Sequence, residues 1–100
     1  MYYVYLLKSQ KSHWFYIGCT SNLKKRLKEH NDGESFSTKI YLPVKLIYYE
    51  AYISKSDAYE REKYLKQYGS GLRNLKDRLK GTLAQPLFTG AGLINKGGAG

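Results

Sequence analysis

The segment of residues 16–30 constrains the fold most strongly, because its pattern changes twice over a short length. It opens with Tyr16-Ile17-Gly18, which is typical of a strand that ends at a glycine. Residues 20–22 are threonine, serine and asparagine, three types that favour the N-cap of a helix. They predict a helix that runs to about Asn31. The segment therefore predicts a strand, a tight turn and a basic helix.

The remainder of the chain adds two strands and two helices to this unit. The predicted strands are residues 2–8, 14–19 and 44–52, and the predicted helices are residues 20–31, 56–67 and 72–80. The first two strands form an antiparallel hairpin, residues 34–42 form a loop, and Gly69-Ser70-Gly71 predicts a break between the last two helices. The order β-β-α-β-α-α predicts an α+β fold, a small three-stranded antiparallel sheet flanked by helices.

One hundred residues allow one domain with one modest core. Beyond Gly81 the sequence becomes glycine-rich, has no clear period and carries one charged residue, Lys96. We therefore expect a domain over residues 1–80 and a flexible tail over residues 81–100.

The formal charge of +9 indicates an anionic partner. Nucleic acid is the commonest such partner, although ribosomal or membrane-surface binding would produce the same imbalance. No signal peptide is predicted, and no run approaches the roughly 20 apolar residues of a membrane span.

Cys19 is the only cysteine, which excludes an internal disulfide and a thiolate-rich zinc site. This usage predicts a cytoplasmic protein.

Helical periodicity separates the polar residues of the first helix into two groups. At 100° per residue, Leu23 and Leu27 define the apolar stripe, with Arg26 and His30 beside it. The side chains predicted to point away from the sheet are Lys24, Lys25, Lys28 and Glu29. A guanidinium on the sheet side needs an anionic partner, since an unpaired buried charge is costly.

The second helix presents the same problem with the opposite charge. Ala58 and Leu65 mark its inner stripe, and Glu62 lies between them. Arg26 and Glu62 either pair with each other or line a pocket at the sheet edge that takes a phosphate and a divalent cation. Tyr5 and Tyr16 come from the two hairpin strands, and their hydroxyls are expected side by side on the face that the helices cover.

These residues resemble the GIY-YIG endonuclease superfamily over residues 2–80. The resemblance rests on the spacing of Tyr3-Val4-Tyr5, Tyr16-Ile17-Gly18, Arg26, His30 and Glu62. It is strongest to the small stand-alone bacterial GIY-YIG proteins and weaker to the N-terminal domain of the excision-repair incision subunit. Tyr3 and Val4 stand where the first motif has glycine and isoleucine, which leaves its tyrosine intact.

The resemblance implies a role for each matched residue. Tyr16 would be the general base or would position the attacking water, and Tyr5 would hydrogen-bond that group. Arg26 would neutralise the phosphate in the transition state, and His30 would orient the water or the phosphate. Glu62 would be the single protein ligand of Mg²⁺ or Mn²⁺.

Asn74 is a further candidate site residue, because several relatives place an asparagine at that interval after the glutamate. His13 lies in the predicted hairpin turn and is expected to be exposed.

The implied activity is metal-dependent hydrolysis of DNA phosphodiester bonds, with RNA left open as a substrate. Low sequence specificity and a preference for branched or single-stranded DNA in repair or recombination are expected, since basic side chains contact phosphates rather than bases. Those side chains are Lys24, Lys25, Lys28, Arg73, Lys76, Arg78 and Lys80. The alternatives are an inactive nucleic-acid-binding module of the same fold and a basic structural protein with an Arg26–Glu62 salt bridge. The sequence leaves the oligomeric state open.

Overall fold

A computed structural model describes residues 1–67 and 69–85 of the chain. Its strands are β1 (Tyr2–Ser9), β2 (Phe15–Thr20) and β3 (Val44–Tyr52). They form one antiparallel sheet in the order β2-β1-β3, so that β1 is central and β2 is an edge strand. Tyr5 lies opposite Gly18 on one side and opposite Tyr49 on the other.

The helices of the described residues are α1 (Leu23–Asn31), α2 (Lys55–Gln67), α3 (Gly69–Arg78) and α4 (Lys80–Leu83). A short 3-10 turn, Lys39–Tyr41, lies within the predicted loop before β3. The element order confirms the predicted α+β class and its three-stranded antiparallel sheet.

Two of the predicted helix starts are capped by side chains. The Asn22 carboxamide oxygen accepts a hydrogen bond from the Lys25 backbone N–H at 3.1 Å, which fixes the start of α1 just after β2. At α2, the Ser54 hydroxyl accepts from the Asp57 backbone N–H at 3.2 Å. These caps fix the start of α1 just after β2 and the start of α2 just after β3.

Different helices cover the two faces of the sheet. Successive β1 side chains point to opposite faces, so β1 contributes to the cluster on each face. The cluster under α1 contains Tyr5, Leu7, Val44, Tyr16, Leu23 and Leu27. The cluster under α2 and α3 contains Val4, Leu6, Ile17, Ala58, Leu65 and Leu75. Tyr5 and Tyr16 therefore lie together on the face under α1, and the helices of the described residues are divided between the two faces.

α2 ends at Gln67 as predicted, but the predicted start of the next helix at Leu72 is wrong, since α3 begins at Gly69. Gly71 is buried, and a Cβ there would lie 2.7 Å from Cε2 of Tyr64 on α2. The glycine therefore allows α3 to approach α2 closely instead of ending a helix.

The predicted domain boundary at residue 80 stays a prediction. α4 continues past that position to Leu83, and residues 86–100 of the predicted tail lie outside the described residues. In the part that is described, no helix combines the length and apolar character that crossing a membrane requires.

Candidate active site

Tyr5 lies at the centre of the candidate site and packs over the backbone of Gly18. Its side chain is buried, and a methyl group at Gly18 would overlap the Tyr5 ring and hydroxyl. The missing side chain therefore lets the Tyr5 ring reach across β2 towards the open edge of the sheet.

A chain of hydrogen bonds connects Tyr5 to the loop before β3. The Tyr5 hydroxyl lies 2.8 Å from Nε2 of His30, and Nδ1 of His30 lies 2.8 Å from the Thr38 hydroxyl. His30 and Thr38 are both 0% exposed. The buried imidazole therefore has a hydrogen-bond partner at each nitrogen, which fixes the orientation of its ring.

Both Tyr5 and His30 are uncharged near neutral pH. Burial raises the pKa of the Tyr5 phenol well above its usual range, and the neighbouring Tyr16 adds to this effect. Burial also lowers the pKa of His30 to about 4, helped by the positive charge of Arg26. A neutral imidazole donates through one nitrogen and accepts through the other, so the Tyr5–His30–Thr38 chain has one consistent direction of donation.

Tyr16 lies beside this pair at the edge of the sheet. Its ring centroid is 6.3 Å from that of Tyr5 and 5.3 Å from that of His30, as expected for neighbours on one face. Tyr16 is half-buried, and among the described residues nothing forms a hydrogen bond with its hydroxyl. This hydroxyl is therefore available to a water molecule or a phosphate.

Trp14 extends the aromatic group at this edge. Its ring stacks on Tyr41 with centroids 3.8 Å apart and an angle of 8° between the planes, and it lies 5.9 Å from the Tyr16 ring. The stack joins the start of β2 to the 3-10 turn.

Arg26 faces the sheet as predicted, but its carboxylate partner is Glu29. Nη1 donates to Oε1 of Glu29 at 3.0 Å, and Nη2 lies 3.4 Å from the Ser35 hydroxyl. The prediction that Glu29 points away with the lysines is therefore wrong, because the ion pair one turn along α1 draws it towards Arg26. The Arg26 side chain remains 32% exposed and can still meet an anion.

Glu62 reaches the same sheet edge from the opposite face. Its carboxylate accepts from Nζ of Lys66 at 2.9 Å, and that ammonium group lies 5.7 Å from the centroid of the Tyr16 ring. The Glu62 charge also contributes to raising the pKa of Tyr5. The alternative of an Arg26–Glu62 salt bridge is thus wrong, because Arg26 pairs with Glu29 and Glu62 pairs with Lys66.

Glu62 is the carboxylate best suited to a divalent cation at this edge. It is partly exposed, and its present partner is a solvent-accessible lysine that can move aside. Among residues 1–67 and 69–85, no three His, Cys, Asp or Glu side chains converge on one point. A hard cation that keeps most of its ligands as water and phosphate oxygen fits such a single carboxylate.

The predicted nucleic-acid-binding residues form two separate groups. Lys24, Lys25 and Lys28 are exposed on α1, although Lys28 pairs with Asp32 at 2.6 Å. The second group lies on the opposite layer, where Arg73, Arg78 and Lys80 are exposed, Lys76 packs over the Phe15 ring at 4.5 Å, and Asn74 is exposed on α3. Asn74 therefore lies on the layer of α2 and α3, away from Tyr5, His30 and Arg26.

Sequence reasoning missed the contribution of the loop before β3. Ser35 and Thr38 are buried and contact Arg26 and His30, yet they are small polar residues in a polar segment without periodicity. The one available signal was the need of a buried histidine for two hydrogen-bond partners.

A second polar cluster was also missed, on the face covered by α2. Glu50 of β3 accepts hydrogen bonds from the Tyr48 and Tyr52 hydroxyls and from Nε and Nη2 of Arg61. The guanidinium and the hydroxyls together hold the pKa of the Glu50 carboxyl below its usual value in spite of burial. This cluster ties α2 to β3.

Comparison with known proteins identifies several relatives. UPF0213 protein CPE1444 of Clostridium perfringens is 46% identical over 68 residues, which are 67% of this chain and 72% of that protein. UPF0213 protein YazA of Bacillus subtilis is 39% identical over 67 residues, 66% of this chain and 67% of that protein.

A solved structure supports the same relationship. The solution NMR structure of UPF0213 protein BH0048 from Bacillus halodurans superposes with a TM-score of 0.52 at 26% identity, covering 91% of this chain and 98% of that one. The family model for the GIY-YIG catalytic domain matches residues 1–76. This chain therefore belongs to the GIY-YIG superfamily of nucleases.

Proposed function

We propose that this protein is a metal-dependent endonuclease that hydrolyses DNA phosphodiester bonds with low sequence specificity. The observation that carries the proposal is the gathering of Tyr16, Arg26 and Glu62 at one open edge of the sheet. Tyr16 and Arg26 both lie beside Tyr5, and Glu62 pairs with the Lys66 ammonium group that lies over the Tyr16 ring. The three side chains thus offer a hydroxyl, a cation and a carboxylate to one region. Phosphodiester hydrolysis needs a positioned water, neutralisation of phosphate charge and a metal ligand, and this set can supply each.

The exposed side chains act directly on the substrate in this proposal. The Tyr16 hydroxyl positions the attacking water or serves as its general base. Arg26 neutralises the charge that develops on the phosphate, releasing part of its interaction with Glu29 to do so.

The buried side chains act through Tyr16. His30 has no exposed surface, so we assign it to holding Tyr5 rather than to contact with the phosphate. Tyr5 in turn steadies the environment of Tyr16 from its position over Gly18. Both act as positioning residues in this scheme.

Glu62 would hold Mg²⁺ or Mn²⁺ once Lys66 moves aside. A bound divalent cation supplies charge stabilisation at the phosphate and lowers the pKa of a coordinated water. Lys66, released from Glu62, remains beside the Tyr16 ring and adds positive charge near the phosphate.

Binding of the DNA backbone is assigned to the exposed basic side chains. Lys24, Lys25 and Lys28 lie on the helix that carries Arg26, so we place the phosphates nearest the cut against α1. More distant phosphates are contacted by the exposed Arg73, Arg78 and Lys80, and by Lys76, which is half-buried against the Phe15 ring. Such contacts give little sequence specificity, so the protein selects its substrate by DNA structure. The proposed setting is DNA repair or recombination in the cytoplasm.

Cutting assays with labelled linear, flap and junction DNA test the proposal. Wild type is expected to cut with magnesium and not without it. Arg26→Ala is expected to lower the cutting rate by about 100-fold or more, because it removes a group that stabilises the transition state. Glu62→Ala is expected to abolish the magnesium dependence together with the cutting.

Glu60→Ala is the matched control, because Glu60 is an exposed carboxylate on the same helix. It should cut at the wild-type rate. DNA binding without cutting under any condition would reject the nuclease and favour an inactive binding module. Full activity of Glu62→Ala would reject the metal assignment alone.

A further inference from the structure

Phe36 has one of the most exposed large apolar side chains in the described residues. It is 93% exposed, next to a candidate active site. Exposure of a whole aromatic ring forgoes the free energy of burying it, so the ring is available to a partner. Ile40 in the same loop is also exposed, at 69%.

The backbone that carries Phe36 is held in place by the site itself. Its neighbour Ser35 is buried and lies 3.4 Å from Nη2 of Arg26, while Thr38 binds His30. The loop is also held at its far end, where the Ser9 hydroxyl donates to the Tyr41 carbonyl at 2.8 Å. The Phe36 ring therefore projects from a fixed backbone rather than from a free loop.

This position relates Phe36 to the phosphate proposed above. Phe36 directly follows Ser35, whose hydroxyl contacts the Arg26 guanidinium. Consecutive Cα atoms are about 3.8 Å apart, so the two side chains start close together. A nucleobase lies one sugar away from its own phosphate. The ring is thus within reach of a base that flanks a phosphate bound by Arg26.

The neighbouring charge favours a nucleic acid as the partner of this ring. Lys39 is exposed in the same loop, and Arg26 contacts the loop at Ser35. Glu34 is exposed nearby and Glu29 pairs with Arg26, but the chain as a whole carries a formal charge of +9. An aromatic ring combined with cations is the usual arrangement for holding unpaired nucleotides, because every base has a face on which a ring can stack.

We infer that Phe36 stacks on an unpaired base next to the phosphodiester held at the candidate site, and so selects flapped or single-stranded DNA over duplex. This inference rests on the proposed nuclease function and adds the origin of its structural selectivity. A paired base in a duplex is already stacked on both faces and offers the ring no such surface without unstacking.

The test compares wild type with Phe36→Ala and Phe36→Trp on flap and duplex DNA. Binding is measured by fluorescence anisotropy. Stacking of the ring on the base is measured by the fluorescence of 2-aminopurine placed at the branch point. Phe36→Ala is expected to weaken flap binding about tenfold, the usual effect of removing one stacking side chain, and to leave duplex binding unchanged. Phe36→Trp is expected to retain flap binding and the 2-aminopurine signal.

Ile53→Ala is the matched control, since Ile53 is another highly exposed apolar residue, placed in the turn between β3 and α2. It should bind both DNAs as wild type does. Equal flap binding by wild type and Phe36→Ala would overturn the inference and leave the ring to a protein contact. A Phe36-dependent 2-aminopurine signal without any cutting would support stacking while rejecting the nuclease.

Discussion

At the scale of single residues, the contact between Tyr5 and Gly18 leaves no room for a side chain at position 18. Gly18→Ala places a methyl group inside the space of the Tyr5 ring and hydroxyl, and that ring is buried. We expect a loss of about 1–3 kcal/mol in the free energy of unfolding, typical of overpacking, together with reduced cutting. Urea denaturation and the cutting assay measure the two effects.

Gly69→Ala is the control for this substitution. A Cβ at Gly69 meets nothing within 4 Å, and the residue opens α3. Alanine there should stabilise the protein by about 0.4–1 kcal/mol, because it restricts the unfolded chain. Equal stability of the two alanine variants would contradict the close contact at Gly18.

His30 makes stability depend on pH in the mildly acidic range. Its pKa falls from 6.5 in an exposed histidine to about 4 in the folded protein, because burial disfavours the charged form. The unfolded chain therefore binds more protons between these values, and stability falls as pH drops from about 6.5 towards 4. The loss from this residue is expected to reach up to about 3 kcal/mol.

Denaturation curves between pH 7 and 4 measure this loss. His30→Gln should remove most of the dependence, whereas His13→Gln should keep it, since His13 is exposed in the turn between β1 and β2. An unchanged pH dependence in His30→Gln would show that other groups cause it.

Helical periodicity was enough to predict that Arg26 and His30 face the sheet, because the apolar stripe fixes the rotation of α1. It could not predict Glu29, whose ion pair with Arg26 outweighs its angle on the helix. Nor could it find Thr38, because a residue in an aperiodic loop has no angle to measure. Long-range polar contacts such as His30–Thr38 depend on the folded path of the chain.

At the scale of elements, the cluster around Glu50 holds α2 against β3. Glu50→Ala would leave the Arg61 guanidinium and two tyrosine hydroxyls without their acceptor in a partly buried position. We expect a loss of about 2–3 kcal/mol in the free energy of unfolding. Thermal or urea denaturation at neutral pH measures it.

Asp32→Asn provides the comparison, because it weakens an ion pair with Lys28 at the solvent-exposed end of α1. Such a pair contributes little, so this variant should unfold almost as wild type does. Similar losses in both variants would mean that the Glu50 cluster does not join the two elements.

The three strands and the starts of α1 and α2 were predictable because they rest on local signals, namely alternation, branched side chains and capping residues. The sequence predicts the start of α3 three residues too late, because Gly69-Ser70-Gly71 resembles a break in isolation. The close approach of α3 to Tyr64 that makes Gly71 useful is a tertiary contact. The division of the helices between two faces likewise follows from packing and not from any one segment.

At the scale of the whole molecule, the basic side chains lie on two opposite layers, and only one of these carries Arg26. Lys24→Ala/Lys25→Ala is therefore expected to reduce the slope of log affinity against log salt by about two, since each lost phosphate contact releases about one counterion fewer. Arg73→Ala/Arg78→Ala should change the slope less on a DNA too short to reach the more distant phosphates that are assigned to this pair. DNA binding measured across a series of salt concentrations gives both values.

The two pairs control for each other, because each removes two exposed positive charges and both leave Arg26 and Glu62 in place. A loss confined to the α3 pair would place the DNA on the other layer. It would then contradict the assignment of the phosphates nearest the cut to α1.

The stacked rings at the start of β2 make the molecule its own optical probe. Trp14 is the only tryptophan in the chain, so indole fluorescence arises from one place. That place lies between Tyr41 and Tyr16, and Tyr16 bears the free hydroxyl of the candidate site. A nucleotide or ion that settles beside Tyr16 changes the polarity around the indole. Its emission can therefore be used to follow occupancy of the site without any attached dye.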